Sequence, residues 1–402
     1  MDHGRILFHD LSFVDEGDEV LVGRQDTGTY AVLPADGAAL LARLADGASP
    51  IAAANWYETA YGEPVDLDEF LETLAELGFL REETAGGTEP AVGVDRSVTV
   101  WTRIARAVFS PPALALFGAV VVWWLVQLGA HHDLLPRPGQ VFFVRSLVIV
   151  QLAITAFQVP LIFLHEGSHV LAGRRIGLRA TLGISNRLTN IVFESRMNSV
   201  LSVPRRQRYL PFLSGMMCDV VVWAVLDLIA QYTRAPNGSF SLLGRLALML
   251  AFTTALRLAW QFQLYLRTDL YYVAATLLNC HDLHDASVAL LRNRISRWFG
   301  RIDRVVDEEQ WSERDRKVGL WYGPVIAFGI LVFLVIAAWS SVPILIRYVE
   351  IVATRLTSGR IDAYFWDVLI SFALNIANIV VVIYLARRKR RPAVGNRIPA
   401  TD

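Results

Sequence analysis

Hydrophobic and polar positions divide this 402-residue chain into two regimes. Up to about residue 82 the apolar residues come in short runs and at helical spacing. Beyond about residue 107 they come in blocks. Six blocks, at roughly 107–129, 143–168, 210–232, 242–266, 320–345 and 363–386, each hold about the 20 residues a helix needs to cross a bilayer. The pattern predicts a mainly α, polytopic membrane protein of about six transmembrane helices, with a small α+β domain at the N-terminus.

Within that front region, Glu19–Gly23 and Thr29–Leu33 are strand-like, and the turn-rich Arg24–Gly28 between them predicts a β-hairpin. Asp36–Leu44, Pro50–Tyr61 and Asp66–Leu77 follow as helices. The last has Leu67, Phe70, Leu71, Leu74 and Leu77 at helical spacing, Asp66 to cap it and Gly78 to end it. Residues 83–98 read as a flexible linker by composition. A hairpin followed by three helices resembles the PqqD-like winged-helix domain. That resemblance implies that residues 1–82 bind the leader segment of a ribosomally made precursor peptide, which would pair as an added strand. The plainer alternative is a small regulatory or stabilising domain.

Composition agrees with membrane insertion: 54% of residues are hydrophobic and only 19% charged. The formal net charge is zero, which suggests no nucleic-acid partner. Two cysteines, Cys218 and Cys280, give neither a disulfide framework nor a Cys-based zinc pattern. The first residues have no signal-peptide character. Where the charges fall is more informative. Arginines cluster between the second and third blocks, between the fourth and fifth, and after the sixth, where Arg387–Arg391 open a tail. The positive-inside rule then places both termini and these loops in the cytoplasm of a multi-pass cell-membrane protein. The expected layout is a recognition domain at 1–82, the linker, a six-helix membrane domain at 99–391 and a cytoplasmic tail at 392–402.

One block ends in chemistry. Leu164-His165-Glu166-Gly167-Ser168-His169 reads His-Glu-x-x-His, which on a helix turns His165 and His169 to one face, where they can ligate a single Zn2+. Glu166 is placed as general base toward a water that the metal activates. His165 lies 19 residues beyond Ser146, roughly 28 Å along a helix, so the site is expected at the cytoplasmic end of the second span. A catalytic zinc needs a third protein ligand. Asp219, Asp227, Asp269 and the His281-Asp282-Leu283-His284-Asp285 cluster are the candidates. Asp269 is preferred because it follows the fourth span at the same depth. His281 and His284 read as a solvated loop. Asp219 is a candidate partner behind a ligand, or lines a water path. Asn186, Asn190 and Asn198 are candidates to hold an extended substrate or stabilise the oxyanion, with a solvated loop as the plainer reading.

The His165-Glu-Gly-Ser-His169 motif on a span, with Asp269-Leu-Tyr-Tyr272 after another, resembles the peptide zinc metalloproteases of the site-2 protease superfamily. The segment Phe193–Gly215 adds to the likeness, which covers most of residues 10–390. Members of that family usually carry Leu-Asp-Gly-Tyr-Tyr at the second motif; here Leu270 replaces the glycine. With the PqqD-like front end, the chain resembles the intramembrane metalloproteases of daptide-type peptide biosynthesis. The resemblance implies a zinc endopeptidase that matures a precursor peptide, with His165, His169 and Asp269 on the metal and Glu166 as base. Two alternatives stand beside it: a peptide exporter or immunity protein with a vestigial motif, and a regulatory protease acting on a membrane-bound anti-sigma factor.

Overall fold

The computed structural model describes residues 6–17, 19–24, 27, 29–81, 96–178, 180–187, 190–196, 200–359 and 361–389. The front region is one antiparallel three-stranded sheet in the order β1 (Leu11–Asp15), β2 (Glu19–Arg24), β3 (Thr29–Pro34), followed by α1 (Ala35–Ala45), α2 (Pro50–Tyr61) and α3 (Leu67–Glu76). The hairpin β2–β3 and all three helices fall where the periodicity puts them; strand β1 is additional. Helix α3 begins as its sequence dictates, the Asp66 carboxylate accepting Glu69 N–H at 3.1 Å. Val22, Leu41, Leu74 and Phe79 close the core between sheet and helices. Each such side chain contributes about 1.5–3 kcal/mol on burial. A bridge between Phe8 and Leu80 joins the two ends of this unit.

Next come α4 (Arg96–Val108) and α5 (Pro111–Ala130). The first apolar block was expected to start at 107, but Ser110 accepts Ala113 N–H with Pro111 at the first helical position, and the span starts there. Residues 96–98, expected in the linker, already belong to α4. Helix α6 (Leu147–Arg175) follows, then a hairpin of β4 (Thr181–Arg187) and β5 (Asn190–Arg196) where a polar loop was expected. Helices α7 (Arg205–Tyr232), α8 (Leu242–Trp260), α9 (Asp269–Leu278), α10 (Leu283–Trp298), α11 (Glu313–Thr357) and α12 (Ala363–Lys389) complete the chain.

Five described helices, α5, α6, α7, α8 and the Glu313–Trp339 part of α11, are long and apolar enough to cross a membrane. The sixth expected block forms the 27-residue α12. Packing sorts these helices. Helix α7 touches α5, α6, α8 and α9 and is the centre of the bundle. Nearly half of the apolar stretch of α8 is fully buried, whereas only 6% of the apolar stretches of α5 and α6 is. Helix α6 changes character along its length: its apolar stretch is mostly half-buried or exposed, whereas His165 and His169 near its end are buried against α7.

The two regions meet at a charged junction. Glu16, in the β1–β2 turn, receives Arg208 Nη2 from the first turns of α7 at 2.7 Å and faces His281 Nε2 at 3.2 Å. The Glu16 and Arg208 side chains are each only 3% exposed. His281 was expected in a solvated loop; instead it closes this junction.

Candidate metal centre

A helix puts i and i+4 on one face, and α6 does this with His165 and His169. Their Nε2 atoms lie 3.2 Å apart and the residues are 3% and 1% exposed. Each ring is fixed from behind through Nδ1. His165 Nδ1 lies 2.9 Å from the Asp219 carboxylate on α7, and His169 Nδ1 lies 2.6 Å from the Pro211 carbonyl of the same helix. With both Nδ1–H groups donating to these acceptors, both Nε2 atoms are bare and present lone pairs to each other.

Asp269 completes the group. Its Oδ2 lies 3.2 Å from His165 Nε2 and 3.2 Å from His169 Nε2. Asp269 follows the fourth span without adjoining it: α8 stops at Trp260, and residues 261–268 lead the chain back to α9, whose first residue is Asp269. Gln261 sets that start. Its side-chain oxygen accepts Asp269 N–H at 3.0 Å, and its carbonyl accepts the Thr268 hydroxyl at 2.7 Å. Tyr272, one turn on, stacks on Phe212 of α7 at 5.4 Å and holds α9 against the bundle. The turn uses Arg267 in the left-handed region, φ 53°, while Leu270 sits in ordinary helix. No glycine is needed at 270, so its replacement by leucine leaves the carboxylate in place.

Three lone-pair-bearing atoms therefore converge on a triangle of 3.2 Å edges. Asp269 Oδ2 is buried and makes no hydrogen bond. Such a cluster is repulsive until a cation enters it. Ligands on a tetrahedral ion at 2.0–2.1 Å lie about 3.3 Å from one another, so this triangle matches three corners of a tetrahedron. Gly215 of α7 keeps the space beside both nitrogens clear. A Cβ there would lie 2.3 Å from His169 Nε2 and 2.7 Å from His165 Nε2. His165, His169 and Asp269 can thus hold a metal ion. Glu166, next along α6, is half-buried.

The other expected residues are placed as follows. Asp219 stands behind His165, bonded to its Nδ1. Asp227 is two turns further along α7 and accepts Trp124 Nε1–H at 2.8 Å, away from the triad. Asn186 and Asn190 lie on β4 and β5, with side chains outside the described residues; Asn198 lies outside them altogether. Sequence reasoning passed over Pro211, Gly215, Gln261 and Arg257. Arg257 carried a signal, being a charge inside an apolar block. The other three carried none, because a carbonyl, a missing side chain and an amide acquire their roles only through distant partners. No known protein family, curated protein or solved structure matches the chain.

Proposed function

We infer that this polytopic protein is an intramembrane zinc metalloendopeptidase that cuts a ribosomally made precursor peptide. The observation carrying this reading is the triangle of the buried His165 and His169 with the half-buried Asp269, and Glu166 beside it. Two imidazoles and one carboxylate with a fourth position open are the donor set of a catalytic rather than a structural zinc. Bound zinc would supply Lewis acidity, acidifying a water and polarising the scissile carbonyl.

The chain's own residues do the rest. Asp219 and Pro211 keep both Nε2 lone pairs aimed inward. Gly215 leaves room for the reacting groups. Glu166 takes a proton from the attacking water; as oxygen bonds to the carbonyl carbon and the C–N bond breaks, that proton passes to the leaving amine. The front domain, docked through Glu16 on the same side of the bundle, gathers the leader of the peptide. That side is the cytoplasmic one in the arrangement the arginine clusters favour.

The test is expression of a precursor peptide with wild-type protein or Glu166→Gln, read by mass spectrometry, with zinc measured in both. Cleavage is expected to fall by roughly 10²–10⁴-fold at equal zinc content. Equal cleavage by the two proteins would sink the protease reading.

A further inference from the structure

His165 and His169 are held differently. A neutral carbonyl stands behind His169, but a carboxylate stands behind His165, and that carboxylate, Asp219, is 0% exposed in the middle of the bundle. A buried carboxylate among membrane helices needs a partner that both balances its charge and fixes its plane. Arg257 of α8 is that partner. Its Nε donates to Asp219 Oδ2 at 2.9 Å and its Nη2 to Oδ1 at 2.6 Å, a fork on both oxygens. The third arm, Nη1, donates to Gln158 Oε1 at 2.9 Å. Gln158 lies on α6, seven residues before His165 and so two turns away on the same face. Its amide nitrogen donates to the Thr253 hydroxyl of α8. The connection thus runs from His165 on α6 through Asp219 on α7 and Arg257 on α8, and returns to α6 at Gln158.

We propose that Arg257 is a positioning residue for the metal centre, acting through Asp219 to hold the His165 ring with Nε2 toward the metal. Two bonds from a planar guanidinium fix the carboxylate's rotation, and only in that rotation does Oδ2 lie 2.9 Å from His165 Nδ1. Gln158 in turn fixes the guanidinium against the helix that carries the ligand. Because the arm starts and ends on α6, movement of α8 against α6 would be felt at His165, whereas His169, resting on the backbone of α7, has no such dependence. Partners one step behind a ligand commonly govern metal affinity by 10–100-fold. The proposal rests on the zinc reading of the triad.

The experiment measures zinc affinity by competition with a chelator, and the visible spectrum of the cobalt-substituted protein, which reports coordination geometry. The full-length protein in detergent is used. The variants are Arg257→Gln, Arg257→Lys and Asp219→Asn, with Asp227→Asn as control. Asp227 is equally buried on α7 and bonded to Trp124, but is not connected to His165. Arg257→Gln and Asp219→Asn are expected to weaken zinc binding by about 10–100-fold and shift the cobalt spectrum. Arg257→Lys, which keeps the charge but loses the fork, should show a smaller loss and carries the test if Arg257→Gln does not fold. Asp227→Asn should leave both readouts unchanged. Wild-type affinity and spectrum in the Arg257 variants, or the same loss in Asp227→Asn, would overturn the positioning role. A wild-type protein that takes up neither zinc nor cobalt would instead overturn the metal reading, and this proposal with it.

Discussion

Gly215 shows how much a single position governs here. Nothing in its surroundings in sequence marks it, yet it faces the Nε2 nitrogens of both His165 and His169. No side chain can occupy a position 2.3 Å from an imidazole nitrogen, so Gly215→Ala must either displace His169 or fill the space the metal needs. The expected outcome is a drop in metal affinity of at least about tenfold, with helix content retained, read by metal analysis and circular dichroism on one preparation. Full metal occupancy in that variant would show that the space is not used. The contrast with His165 and His169 explains what could be read beforehand. Their relation is local, four residues along one helix, and survives any tertiary arrangement. The role of Gly215 exists only once α7 packs on α6.

Among the elements, α6 packs against α4, α7 and α12. Its first turn is held from α12. Asp367 accepts Leu147 N–H at 2.7 Å and Val148 N–H at 3.1 Å, and also bonds the Ser146 hydroxyl. A carboxylate on the free N–H groups of a helix start satisfies donors that would otherwise be stranded and complements the helix dipole. Asp367→Ala should cost about 1–2 kcal/mol of stability, seen as a lower thermal midpoint in detergent, with Asp367→Asn losing less. An unchanged midpoint would mean water replaces the carboxylate there. The apolar blocks made these helices legible, since block length alone distinguishes a span. Their ends were read less well. Ser110–Pro111 moved the start of α5, and the Gln261 amide ended the fourth block early and turned Asp269 inward through α9. Side-chain capping by residues eight positions apart leaves no periodic trace.

At the scale of the whole molecule, the front domain and the bundle are joined by charge. Burial raises the affinity of Glu16 for a proton, but His281 and Arg208 outweigh it and hold its carboxyl below the ordinary glutamate value of 4.5. A depressed folded value stabilises the docked form fully above pH 4.5, and that contribution is lost as pH falls through the folded value. Arg208 and His281 face this carboxylate from their separate elements, and Tyr30 lies near Arg208. Spin labels at Glu72 of α3 and at Arg301 beyond α10 should report a fixed distance near neutral pH and a broadened one in acid below that range. Glu16→Gln should be broadened already at neutral pH. An unchanged distance in Glu16→Gln would show that docking does not depend on this pair. The hairpin and helices of the front region were visible from the sequence, but the junction was not. Glu16 and His281 are 265 residues apart, and each reads as an ordinary polar residue in its own surroundings.

The arrival of Asp269 on α9 has a consequence in time. It lies one hundred residues beyond His169, after α7 and α8. A chain made from its N-terminus therefore passes through a long interval in which the His-Glu-x-x-His helix exists without its carboxylate. During that interval two histidines alone face the gap left by Gly215, and the triangle cannot close until the fourth hydrophobic block is in place and the chain has turned back through Gln261. The three-residue group is thereby incomplete until α9 is made, with α10, α11 and α12 still to follow.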